Sequence, residues 1–137
     1  MLSGTGGNSG TQASTAVIRA LSLGEVRFSD LLRVVWKECR VALICGVCLA
    51  AANFVKMMLV DRMLMHNPQV TVSVALVVCL TLMCTVVCAK IVGCTLPMAA
   101  EKIGIDPAVM AAPFITTVVD ALSLLIYFAI ATEILGL

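Results

Sequence analysis

The stretch VTVSVALVVCLTLMCTVVCA, Val70–Ala89, runs for 20 residues without a charge. A helix of about 20 apolar residues crosses the roughly 30 Å hydrocarbon core of a bilayer. Runs long enough to do the same occur at Val41–Val60 (VALICGVCLAAANFVKMMLV) and at Ala108–Thr132, whose centre reads PFITTVVDALSLLIYF from Pro113 to Phe128. Across the 137 residues, 61% are hydrophobic and 12% charged, and the mean hydropathy is +1.11. Soluble domains are about half apolar and ~25% charged. A formal net charge of +1 leaves no polybasic surface for nucleic acid. The expected fold is all-α, a polytopic transmembrane helix bundle of three full spans plus the end of a fourth.

Polar breaks separate the spans. DRMLMHNPQ (Asp61–Gln69) carries an Asn-Pro turn signal, and EKIGIDP (Glu101–Pro107) carries Gly104 and an Asp-Pro pair. Connectors this short make neighbouring spans antiparallel. The chain divides into residues 1–24, a truncated transmembrane helix with a small and polar face; 25–40, an amphipathic connector; 41–60 and 70–97, transmembrane helices; and 108–135, a transmembrane helix with a carboxylate at its centre. Within the connector, FSDLLRVVWKE (Phe28–Glu38) offers Ser29 or Asp30 as a helix N-cap. The first segment lacks the basic and long apolar regions of a signal peptide. It looks like half of a span, so the element is expected to begin upstream. Arg19, Arg27, Arg33, Lys37 and Arg40 precede the first full span, and Lys90 and Lys102 flank the Glu101–Pro107 connector. By the positive-inside rule these two regions face the cytoplasm, and the C-terminus of this cell-membrane protein lies outside.

Asp120 stands in the middle of the last span with no basic partner evident from the sequence. On a helix it shares one face with Thr116, Ser123 and Tyr127, flanked by Thr117. A charge at mid-membrane costs at least ~2.5–3.5 kcal/mol, so this polar stripe must face protein or water. It is either a seam of hydrogen bonds between helices or the wall of a wet cation path. Lys90 is expected to snorkel toward the cytoplasmic interface.

SGTGGNSGTQ (Ser3–Gln12) is rich in glycine, but no strand precedes it and no Lys-Ser/Thr follows, which argues against a phosphate loop. Gly6 and Gly10 form a G-x-x-x-G pair that permits close helix approach, and this face is expected to mediate association. Asn8, Thr11 and Gln12 add polar atoms there. The seven cysteines lie in or beside apolar runs, where a thiol packs as a small hydrophobe. Asn53 is expected to bond across helices, and His66 to lie in an outer loop.

The blocks GTGGNSGTQASTAVIRALSLGEV and GCTLPMAAEKIGIDPAVMAAPFITTVVDALSLLIYF together resemble the membrane domain of the MgtE family of magnesium channels. The resemblance covers nearly the whole chain. It implies a homodimer with five helices per subunit, of which this chain supplies the end of the second and all of the third to fifth, and it implies N-terminal cytoplasmic gating domains that are missing here. It implies that Asp120 binds the transported Mg²⁺, and that Asn8, Thr116 and Ser123 line the ion path. Ala112, where some members carry Asn, and Lys90, where small or polar residues are common, depart from the pattern. A small hydrated divalent ion suits carboxylates that bind it through water, and a two-fold axis would set two Asp120 side chains face to face. Thr117 joins Thr116 as a hydroxyl that orients the ion's waters. The alternatives at this point are a non-conducting membrane interaction or structural fragment, and transport of Co²⁺ or Mn²⁺. An intramembrane aspartyl hydrolase needs two aspartates in one chain, so no enzyme is expected.

Overall fold

The computed structural model describes residues 2–64, 71–109 and 112–135. They form four helices, α1 (Leu2–Ser22), α2 (Leu31–Lys56), α3 (Val72–Lys102) and α4 (Ala112–Leu135), with no strand among the described residues. The turn at Asn67-Pro68 and His66 lie outside the described residues. Three segments are long and apolar enough to cross a membrane: Phe28–Met63, Val72–Lys102 and Ala112–Ile134. The 31 residues of α3 make a rod of about 46 Å at ~1.5 Å per residue, longer than the hydrocarbon core alone requires.

The division expected near residue 40 is not an element boundary. α2 runs from Leu31 through Val41 without interruption, because no turn-forming residue occurs in LLRVVWKECRVALI. Asp30 stands at its N-cap position, but its side chain makes no capping bond to α2. Its carboxylate accepts the Arg27 backbone N–H at 3.1 Å and closes the short 3₁₀ turn Phe28–Asp30 before the helix. At its far end α2 widens into a π-type segment, Met57–Leu64, where Lys56 pairs with Asp61 at 3.0 Å.

α1 and α3 end in the same way. Gly24 and Gly104 adopt φ of 69° and 77°, a conformation that glycine reaches without strain. The turns are closed by Gly24 N–H to Leu21 O and Glu25 N–H to Ala20 O, and by Gly104 N–H to Glu101 O and Ile105 N–H to Ala100 O. Each is the paired-bond helix stop that satisfies orphan carbonyls. Lys102 then lies over the Phe28 ring, 4.2 Å from its centroid, tying the end of α3 to the turn that precedes α2.

α3 is the central rod and packs against the other three helices. α2 runs antiparallel to it: Cys79 Sγ donates to Ala50 O at 3.3 Å, Gly46 lies on Met83, and Glu38 reaches Lys90. α1 runs parallel to it, with Gly6 beside Thr85, Gly10 beside Ala89, and Ala13 beside Gly93. α4 returns antiparallel, so that Ile115 and Val119 pack with Ala89. A second cluster joins Ala13 and Val17 of α1 to Cys94 and Met98 of α3, covered by Leu31, Val34 and Val35 of α2. The outer sides of α2 and α4 expose Leu43, Ile44, Val47, Phe114, Leu125 and Phe128, side chains that suit lipid.

The tightest contact is backbone against backbone. A Cβ on Gly93 would collide with the Gly10 carbonyl, while one on Gly10 would lie 3.0 Å from the Ala89 carbonyl oxygen. Backbone cannot step aside. Gly93→Ala should therefore drive α1 from α3 and lower the thermal unfolding midpoint in detergent sharply, by the equivalent of a ~1–3 kcal/mol overpacking cost or more. Gly46→Ala meets the flexible Met83 side chain at 3.1 Å and the Met83 Cα at an ordinary 3.5 Å, and should leave the midpoint within a few degrees.

Candidate functional site

Asp120 is held by the neighbours that surround it in sequence. Val119 is fully buried against Gly6 and Gly10 of α1. Ser123 is 2% exposed, and its hydroxyl donates to the Asp120 carbonyl oxygen at 2.9 Å. The Asp120 carboxylate is half-buried, and its Oδ1 is enclosed without a hydrogen-bond partner. An unsatisfied buried acceptor of this kind costs ~1–3 kcal/mol, more when charged. At the start of α4, Thr116 donates to Ala112 O at 2.9 Å and Pro113 O at 3.0 Å, and Thr117 donates to Pro113 O at 2.8 Å. The Thr116 methyl lies against Gly7.

The stripe of Thr116, Asp120, Ser123 and Tyr127 is therefore not uniformly open. Ser123 turns into the packed interior with its hydrogen committed to backbone, and Tyr127 is partly buried, stacked edge-on against Phe128 at 5.6 Å. Thr116 and Thr117 lie toward the accessible start of the helix.

Asn8 lies elsewhere. It is exposed and borders a cavity of about 290 Å³ between α1, α2 and α3, together with Thr5, Gln12, Cys45 and Lys90. Asp120 does not line that cavity. Helical geometry explains the separation: Gly6 and Gly10 pack against α3 and α4, while Asn8, two residues from each, borders a cavity toward α2 and α3 that no α4 residue lines. Within one chain, Asn8 and Asp120 do not meet. Nor are Gly6 and Gly10 free for association with a second molecule, since α3 and α4 of the same chain cover them.

Lys90 does not snorkel. Its Nζ pairs with Glu38 Oε2 at 3.0 Å, with the two side chains only 10% and 17% exposed. The sequence signal was a lysine inside an apolar run, which demands a partner; the antiparallel register of α2 on α3 supplies it from a segment that reads as a solvated connector. Asn53 is buried, and its amide donates to Met57 Sδ at 3.6 Å on its own helix, not across helices. The cysteines are free thiols, and no group of three or more His, Cys, Asp or Glu side chains among the described residues is arranged to hold a metal ion.

A helical bundle with membrane-length apolar helices and a half-buried carboxylate within the last of them has the architecture of a multi-pass membrane protein. The chain belongs to the MgtE divalent cation transporter family, whose model matches residues 1–130. Members of this family are transporters, not enzymes. The chain is 36% identical over 135 residues to the magnesium transporter MgtE of Thermus thermophilus, covering 98% of this chain and 28% of that protein. It is 35% identical over 136 residues to the protein of the same name from Bacillus subtilis and 33% identical over 132 residues to that of Enterococcus faecalis, each match covering 96% of this chain. The chain spans 27% and 28% of the length of these relatives.

The buried ion pair yields a direct test. Removing one partner strands the other charge, which costs ~3–5 kcal/mol in a buried pair. Glu38→Gln and Lys90→Met should behave unequally: the first leaves a bare buried cation and lowers the unfolding midpoint strongly, while the second strands a carboxylate nearer the helix surface and lowers it less. The exchanged pair, Glu38→Lys with Lys90→Glu, should recover most of the loss. Thermal denaturation of the purified protein in detergent reads all three.

Proposed function

We propose that this chain forms part of a membrane pathway for Mg²⁺ in which Asp120 binds the passing ion. The observation that carries the reading is the enclosed, unpartnered Oδ1 of Asp120 within an apolar helix, in a family of divalent cation transporters. Relatives named as magnesium transporters support the choice of ion. Mg²⁺ gives up its water reluctantly and is commonly held through one or two carboxylates and its own hydration shell. A single carboxylate binds weakly, so the proposed pore is a homodimer on a two-fold axis, with Asp120 from each subunit facing the ion. Two carboxylates alone would share a proton; a divalent ion between them keeps both ionised. Asn8, Thr116 and Thr117 are proposed to border the path; Ser123, turned into the packed interior, is left out of it. Since Asn8 and Asp120 do not meet within one chain, a second subunit is the means by which both would reach a common axis. The start of α2 and the α3–α4 connector would face the cytoplasm, as the basic residues around them favour.

Asp120→Ala and Asp120→Asn should each reduce Mg²⁺ flux into proteoliposomes by about ten-fold or more, the equivalent of one lost charge-assisted interaction, with unchanged elution from a sizing column. Undiminished flux in Asp120→Ala would remove the carboxylate from the pathway. Parallel measurements with Co²⁺ and Mn²⁺ define selectivity, and a wild-type protein that carries none of the three would favour a purely structural membrane role.

A further inference from the structure

The first turns of α2 carry their charge on the side turned away from the bundle. Val34 and Val35 pack on the cluster of α1 and α3, Ala42 is fully buried, and Glu38 reaches Lys90. These residues define the inner side of the helix. At about 100° per residue, Arg33, Lys37, Arg40 and Ile44 all fall within about 40° of the point opposite Ala42. All four are exposed. Lys37, Arg40, Val41 and Ile44 border an open hollow of about 280 Å³ to which no other helix contributes a residue.

The positive charge on this face is unmatched. Among the described residues the ion pairs are Lys56 with Asp61 and Lys90 with Glu38, so Arg33, Lys37 and Arg40 have none. Asp30, the acid that precedes α2, already accepts the Arg27 backbone N–H. No acidic residue occurs in the first turn of α2, so the positive end of the helix dipole adds to the same field. The polarity then changes abruptly. No charged residue lies between Arg40 and Lys56, and the same side of the helix continues with exposed Ile44, Val47 and Ala51. Trp36, 69% exposed, stands beside the cations, and indole rings favour the membrane–water boundary. The three cations occupy about 10 Å of helix and the apolar run about 22 Å. That is the outline of one phospholipid, headgroup and acyl chain end to end.

We propose that this face of α2 is a docking site for an anionic phospholipid. The phosphate oxygens accept hydrogen bonds from Arg33, Lys37 and Arg40, and an acyl chain lies over Val41 and Ile44. The forked donors of arginine suit a phosphate group. A zwitterionic headgroup brings a cation of its own among these three and is disfavoured. The site requires that α2 span a membrane; it does not depend on the role of Asp120.

Trp36 is the only tryptophan in the chain, so its fluorescence reports which lipid touches this face. The chain is reconstituted in phosphatidylcholine vesicles that contain, as a minor component, either phosphatidylglycerol or phosphatidylcholine brominated high on its acyl chains. Brominated phosphatidylglycerol should occupy the site about ten-fold or more in excess of brominated phosphatidylcholine at equal mole fraction. Arg40→Gln should lower that preference roughly five-fold, as for one lost cation near the surface, and Arg33→Gln with Lys37→Gln and Arg40→Gln should abolish it. Arg19→Gln removes one exposed charge at the same end of the bundle but from α1, and should leave the preference within about two-fold of wild type. Equal quenching of the wild type by the two lipids overturns the proposal, even if the triple variant fails to insert. So does an equal loss in Arg19→Gln and Arg40→Gln, since a general surface potential would then suffice. Weak quenching by both lipids overturns it as well, because a second copy or another protein segment would then cover the face.

Discussion

The fold depends on the approach of two backbones. The Gly10 carbonyl lies on the Cα of Gly93, closer than any side chain would allow. Apolar side chains gain little by leaving lipid for protein, so helices in a membrane associate through van der Waals contact and polar bonds. Glycines supply the first by removing what would hold the rods apart. Once α1 lies so close to α3, the groove beside them is shallow enough for Ile115 and Val119 of α4 to fill against Gly6 and Gly10. Val119 is the residue before Asp120. The placement of Asp120 on the last helix therefore follows from two glycines in the first and one in the third.

The polar atoms of the bundle obey the same constraint from the other side. Water is absent from the hydrocarbon core, so each polar group needs a partner in the protein. Threonine hydroxyls find it on their own helix, Lys90 finds it in Glu38, and Cys79 donates across to Ala50. Thr85 Oγ1 and Asp120 Oδ1 do not. Among the described residues these two are the buried side-chain polar atoms left without a partner.

Much of this was legible in the residues. Runs such as Val70–Ala89 fixed the class of the fold, because only a helix satisfies so long an apolar backbone in lipid. Gly104 and the Asp-Pro pair marked the α3–α4 turn. The isolation of Asp120 on an apolar face was equally plain. What could not be read was register. Whether Lys90 meets Glu38 depends on how α2 slides along α3, and no local signal in VVWKECRV announces that Glu38 is enclosed. The same holds for Thr85, whose burial against Gly6 of α1 depends on how α1 lies along α3. The face of Gly6 and Gly10 was recognisable as a contact surface, but its partner within the chain was a matter of tertiary arrangement.

The threonines at the start of α4 have a consequence for the sign of charge. Both Thr116 and Thr117 direct their hydroxyl hydrogens at carbonyls of the preceding turn. What remains on each oxygen is lone pairs, so these side chains can accept hydrogen bonds but not offer them. A hydrated cation turns its water hydrogens outward; a hydrated anion turns its water oxygens outward. On the reading that these threonines border the ion path, the wall complements the first kind of shell and fails the second. Discrimination between cation and anion would then begin in the direction of two hydrogen bonds, before an ion comes within reach of the carboxylate.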